Sequence, residues 1–182
     1  NAYVVFVNDD PAIENDTLYY FRISEPTVWN NDKPHVIYGL VVIENGASLE
    51  IMEGTEVYLH HNSNLVVGEL WYRSNDVPIK SSLKVLGNNS NRVLFTSDRL
   101  DEYYSDIPGQ WGRIWLTANS SENLIQNATI KNGTIGLHVD TIANSNDPTL
   151  RLENTIISNH SSYGILAYSS KIEAFNCQIN DN

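Results

Sequence analysis

From Val41 onward the apolar residues come in pairs two positions apart, and the pairs recur every eight residues: Val41-Val42-Ile43, Leu49-Glu50-Ile51, Val57-Tyr58-Leu59 and Leu65-Val66-Val67. A spacing of two puts both apolar side chains of a group on one face of a strand. Gly46 and Gly54 fall at one phase between the groups with Asn62 next in line, supplying turn residues. Gly and Asn recurring at fixed phase oppose an amphipathic helix. With insertions the pattern runs on through 83–85 and 93–95.

The second half repeats with a longer unit. Asn127-Ala-Thr-Ile130-Lys-Asn132, Asn154-Thr-Ile-Ile157-Ser-Asn159 and Asn176-Cys-Gln-Ile179-Asn-Asp181 align at offsets of 27 and 22 residues, the difference falling in the polar stretch 141–148, read as a surface insertion. Gly136-Leu-His-Val139 and Gly164-Ile-Leu-Ala167 supply a strand after the first two blocks. Leu150 with Leu152, and Ile172 with Ala174, supply one before the last two. Each coil therefore holds three short strands.

Three strands of eight residues make 24, the separation of Val41 from Leu65. Each strand then stacks on its equivalent one coil later at the spacing of about 4.8 Å of paired strands. The predicted fold is all-β: a right-handed parallel β-helix of about five coils over residues 39–182. The inward columns are predicted as Val41, Leu65, Ile114, Leu137 and Ile165 for the first strand. For the second they are Leu49, Leu83, Ile125, Leu152 and Ala174, and for the third Val57, Val93, Ala128, Thr155 and Cys177. Asn127, Asn154 and Asn176 stack at one corner, where amide side chains bond to one another and to turn backbone. Residues 1–38 lack the repeat. Tyr3-Val-Val-Phe-Val7 and Tyr19-Tyr-Phe21 there read as strands of an N-terminal cap, which a solenoid requires for solubility.

The repeat resembles that of right-handed parallel β-helix proteins over residues 34–182. More narrowly, Pro34-His-Val-Ile-Tyr38, Leu49-Glu-Ile-Met-Glu-Gly-Thr-Glu-Val-Tyr-Leu-His60, Phe95-Thr-Ser-Asp-Arg99-Leu-Asp101 and Pro108-Gly-Gln-Trp-Gly112 resemble a group of surface lipoproteins of gut-type Gram-negative anaerobes, the Bacteroidetes. That group has no assigned reaction. The resemblance implies a place on the extracellular face of the outer membrane, a lipid anchor upstream of Asn1, a longer C-terminus, and partners among outer-membrane nutrient-uptake proteins. The lipid-attachment Cys is not present near Asn1. The chain also stops directly after the third strand of a coil, which leaves core cross-section and backbone edges open. The expectation is a solenoid incomplete at its C-terminus.

Charge narrows the partners. Eleven Lys and Arg against 22 Asp and Glu give a net charge of −11 with no basic stripe, which excludes a nucleic-acid function. No apolar run approaches the ~20 residues of a membrane span. The single Cys177 has no disulfide partner and reads as a small buried apolar residue.

Polysaccharide lyases and hydrolases share this fold, and their chemistry needs a clustered acidic calcium site beside a base, or two carboxylates flanking a cleft. The outward positions offer Lys131 against Ser158 and Asn180, Arg151 against Glu173, and His138 beside Leu166, which read as solvated surface. No catalytic residue is assigned. Asp98, Asp101, Glu102 and Asp106 form the densest acidic segment and are the candidate calcium ligands. The competing reading pairs Arg99 with a carboxylate and packs Trp111 as a lid on the coil. A second acidic group, at 8–10 and 14–16, reads as solvated cap.

Aromatic residues are the candidate ligand-binding set: Trp71 and Tyr72 in the insertion between Leu65 and Leu83, Tyr103 and Tyr104 in the acidic loop, Trp111, and the outward-pointing Trp115. Such faces stack on sugar rings and anchor protein interfaces alike. His60 and His61 point to opposite sides of a strand, so no zinc site is expected. Sequons at Asn15, Asn88, Asn119, Asn127, Asn132 and Asn159 follow from Asn-Ser-Thr-rich turns. The reading is a non-enzymatic cell-surface β-helix protein that binds a glycan or an outer-membrane uptake complex. Its alternatives are a polysaccharide lyase or hydrolase with its site partly in missing C-terminal coils, and a structural or adhesin stalk.

Overall fold

A computed structural model describes residues 3–5, 20–70, 79–140 and 147–182. Strand β1 (Tyr3–Val5) precedes a first coil of β2 (Tyr20–Ile23), β3 (Thr27–Trp29) and β4 (His35–Ile37). The second coil is β5 (Leu40–Ile43), β6 (Ser48–Met52) and β7 (Glu56–Leu59); the third is β8 (Asn64–Val67), β9 (Ser82–Leu86) and β10 (Val93–Ser97). The fourth is β11 (Ile114–Leu116), β12 (Asn123–Gln126) and β13 (Ala128–Lys131), and the fifth β14 (Ile135–Asp140), β15 (Leu150–Glu153) and β16 (Ile156–Ser158). Strands β17 (Tyr163–Tyr168), β18 (Ile172–Phe175) and β19 (Gln178–Asn180) make the sixth.

Equivalent strands of successive coils pair in parallel and build three sheets. The first sheet runs β2-β5-β8-β11-β14-β17, the second β3-β6-β9-β12-β15-β18, and the third β1-β4-β7-β10-β13-β16-β19. This is a parallel β-helix with three strands per coil. The predicted first column holds at every step, with Val41 paired to Leu65, Leu65 to Ile114, Ile114 to Leu137 and Leu137 to Ile165. Alternation along each strand sends these side chains into one continuous core, in which Leu49, Leu65, Phe95, Ile114 and Leu137 are wholly buried. Cys177 is half-buried and packs against the same core.

Two expectations are corrected. Residues 20–37, expected in a cap outside the repeat, form a full coil paired in register with the next one. Its buried inward positions include Trp29 and His35 rather than a run of Val and Leu, so the aliphatic period does not mark it. The second and third columns also carry a shift of two residues: Ile125 stands over Val85 rather than Leu83, and Phe95 rather than Val93 stands over Val57. A shift of one would turn every side chain inside out, whereas a shift of two preserves the pattern. Buried Asn123 conceals the register, because a polar residue sits where an aliphatic one is expected. Its Oδ1 accepts from the Leu83 N–H at 3.0 Å and its Nδ2 donates to the Thr149 carbonyl at 3.0 Å.

Single asparagines turn the corner from the second to the third sheet. Asn127, Asn154 and Asn176 take φ of 48°, 48° and 51°, a left-handed conformation that Asn tolerates better than most residues. Asn176 Nδ2 donates to Asn154 Oδ1 at 2.7 Å, while Asn127 Nδ2 donates to the Gly87 carbonyl at 3.0 Å. The predicted corner thus bonds both amide to amide and amide to backbone.

Candidate functional site

The acidic segment following β10 is a clasped loop. Asp98 Oδ2 meets His60 Nδ1 at 2.7 Å, and the Arg99 guanidinium lies over the Tyr104 ring at 5.0 Å. A short 3-10 turn spans Glu102–Tyr104. Buried Gln110 donates from Nε2 to the carbonyls of Tyr104 and Ile107 at 2.7 and 2.6 Å. Lys131 Nζ and Asn132 Nδ2 both donate to the Ser105 carbonyl, at 3.1 and 2.9 Å. The loop presents Tyr103, which is 77% exposed and meets Tyr104 edge-on at 5.1 Å.

The four candidate calcium ligands are not brought together. Asp98 is committed to His60, Asp106 accepts from Ser105 Oγ at 3.4 Å, and among the described residues no group of three or more His, Cys, Asp or Glu is placed to hold a metal ion. Trp111 is likewise no ligand platform. Its ring is 1% exposed and its Nε1 donates to the Lys131 carbonyl at 2.8 Å, so the residue belongs to the core, beneath a clasp made by its neighbour Gln110. Trp71 and Tyr72 lie outside the described residues, as does the acidic group at 8–16.

Trp115 points outward as expected, and it is the centre of a cluster. Its ring stacks on His138, the next residue up the outer column, with centroids 5.1 Å apart and planes within 3°. Its Nε1 donates to Asp140 Oδ2 at 2.7 Å. Arg113 lies over the indole, 5.7 Å from the ring centroid, and Tyr168 meets His138 edge-on at 5.8 Å. One face of Trp115 and its N–H are therefore committed, to His138 and Asp140, and Arg113 lies against both rings.

Among the described residues, the outer face of the second sheet forms a candidate binding groove of about 670 Å³. Its floor is the outward column Lys84, Leu124 and Arg151, placed by the pairing of β9, β12 and β15. Ser120, Ser121 and Glu122, with Lys80 and with Asp147, Pro148 and Thr149, line the edge where β9, β12 and β15 begin, and Glu153 stands at the far end of β15. Lys84 is 3.6 Å from Glu50, and Arg151 is 3.3 Å from Glu173, the pair expected across β15 and β18. Three cations and three carboxylates thus line one groove beside hydroxyl and amide groups. The residues are legible only after the register is known, because a two-residue slip moves Lys84 away from Leu124 and Arg151.

The class is thereby defined: a parallel β-helix with an outward groove on one sheet. Comparison with protein-family profiles, curated proteins and solved structures finds no match to the chain.

Proposed function

We propose that the chain is a surface-displayed β-solenoid that binds a glycan, without turning it over, along the outer face of its second sheet. The groove of about 670 Å³ over Lys84, Leu124 and Arg151 carries the reading. A sugar chain needs many directed hydrogen bonds with little net charge, and here cationic donors, carboxylate acceptors and neutral hydroxyls alternate within reach of one another. Leu124 offers an apolar step between Lys84 and Arg151 on which the C–H face of a pyranose rests. Ion pairs with Glu50 and Glu173 draw the two cations toward opposite ends of the floor and leave Leu124 open between them. The cell-surface location and the uptake-complex partners rest on the resemblance of the four sequence segments alone.

The test is isothermal titration against a panel of neutral and acidic oligosaccharides, with product analysis after prolonged incubation. Binding that is lost in Lys84→Ala and Arg151→Ala, with the glycan recovered intact, supports the reading. Cleaved or unsaturated products place the chain among lyases or hydrolases, and absence of binding across the panel leaves the stalk.

A further inference from the structure

The outer face of the first sheet carries chemistry that the groove does not use. Arg113 sits immediately before β11, His138 and Asp140 lie on β14, and Tyr168 ends β17, so three successive coils contribute to one cluster. Arg113 NH1 lies 3.0 Å from His138 Nδ1. A guanidinium has donors only, so Nδ1 is the acceptor and the ring proton sits on Nε2. That nitrogen lies 3.1 Å from Asp140 Oδ1. With one nitrogen facing Arg113 and the other facing Asp140, the ring has no free lone pair with which to act as a base on a ligand. The same Asp140 accepts from the Trp115 indole, and the same Arg113 covers the Trp115 ring.

We propose that Arg113 and His138 form a proton-operated latch on the outer face of the first sheet, closed while the imidazole is neutral and opened when Nδ1 takes up a proton. An imidazolium carries N–H at both nitrogens. The 3.0 Å contact then sets donor against donor and cation against cation. Asp140 retains the imidazolium, so the guanidinium is the group that leaves, and it leaves the Trp115 face as it does so. Among the described residues, the charged and titratable groups facing the ring are Arg113 before β11, Asp140 on its own strand, and Tyr168 from β17, whose nearer neighbour Leu166 is apolar. Burial is the largest influence on His138 and holds its pKa below the ordinary 6.5; Asp140 opposes this and Arg113 reinforces it. The latch accordingly opens on the acid side of that value and stays shut at neutral pH.

Imidazole nitrogen and arginine side-chain NMR of the whole chain, followed against pH, tests this. The folded protein at mildly alkaline pH should show His138 as the Nε2–H tautomer, with Arg113 resonances moving in step with the His138 titration. Arg113→Gln replaces an obligate donor with an amide whose oxygen accepts from protonated Nδ1, and should raise the His138 midpoint by about one pH unit. His160, buried against Trp111 at the corner between the third and first sheets, serves as the internal reference and keeps its midpoint in that variant. An Nδ1–H tautomer in the unmodified chain, which needs no variant to detect, overturns the proposal. So does a His138 midpoint unchanged in Arg113→Gln.

Discussion

Asn159 Nδ2 donates to Asn132 Oδ1 at 2.8 Å, joining two coils at the corner between the third and first sheets. The lower amide continues the chain of bonds, since Asn132 Nδ2 donates to the Ser105 carbonyl in the clasped loop. Buried Asn132 therefore ties the coil stack to the loop, and its φ of 70° is one that Asn and Gly accept more readily than Ala. Asn132→Gly should lose about 1–3 kcal/mol of stability through the unpaired groups left behind. Asn132→Ala should lose roughly 1 kcal/mol more from the left-handed backbone. Urea denaturation of the two variants separates amide from backbone.

The stack itself was legible from side-chain phase. Leu137 and Ile165 share a column because each directly follows the equivalent glycine of its coil, Gly136 and Gly164, and the structure pairs them. What was not legible involves residues that break the aliphatic rule while obeying the geometry. His35 and Trp29 fill inward places of the first coil, and Asn123 fills one in the second sheet. The Trp115 cluster was half visible: alternation points Trp115 and His138 outward, but only the structure brings Arg113 and Asp140 onto the same two rings. The acidic loop misled because carboxylates close in sequence there turn toward separate partners, Asp98 to His60 and Asp106 to Ser105.

Acid should destabilise the fold through its buried histidines. His160 is buried; its Nδ1 accepts from the Gly133 N–H at 3.1 Å and its Nε2 donates to the Ile130 carbonyl at 3.2 Å. Burial is the main cause of a pKa below 6.5, opposed by the bond to the Ile130 carbonyl, and His35 is lowered for the same leading reason. The unfolded chain then binds more protons than the folded one between the two pKa values, so stability rises with pH across that interval. The contribution is complete above 6.5 and declines as pH falls from there toward the folded pKa. Denaturation midpoints measured across this range should fall with acidification, and His160→Gln, which keeps one acceptor and one donor, should flatten the slope.

Core columns and loop tips should respond oppositely to truncation. Leu137 is wholly buried between Ile114 and Ile165, and Leu137→Ala should cost about 2–5 kcal/mol through lost burial and the cavity left behind. Tyr103 is largely exposed on the clasped loop, and Tyr103→Ala should change stability by no more than about 0.5 kcal/mol. Thermal unfolding of both variants checks the contrast, and equal losses would mean that the loop, not the column, carries the packing.

Arg92 reaches across two coils at the corner where the single asparagines turn the chain. One terminal nitrogen donates to the Ala128 carbonyl at 2.5 Å and to the Asn154 carbonyl at 2.6 Å, while Nε donates to Thr129 Oγ1 at 3.2 Å. Those carbonyls lie at the corner where β12 gives way to β13 and β15 to β16. Lysine carries the charge but has one donor group on a flexible stem and cannot reproduce the fork. Arg92→Lys should therefore lose about 1.5–3 kcal/mol, the worth of a charge-assisted hydrogen bond, rather than the near-zero change of a surface charge swap. Amide hydrogen exchange should show the loss centred on Ala128 and Asn154. Exchange that accelerates evenly over all six coils would instead point to a long-range electrostatic role for the guanidinium.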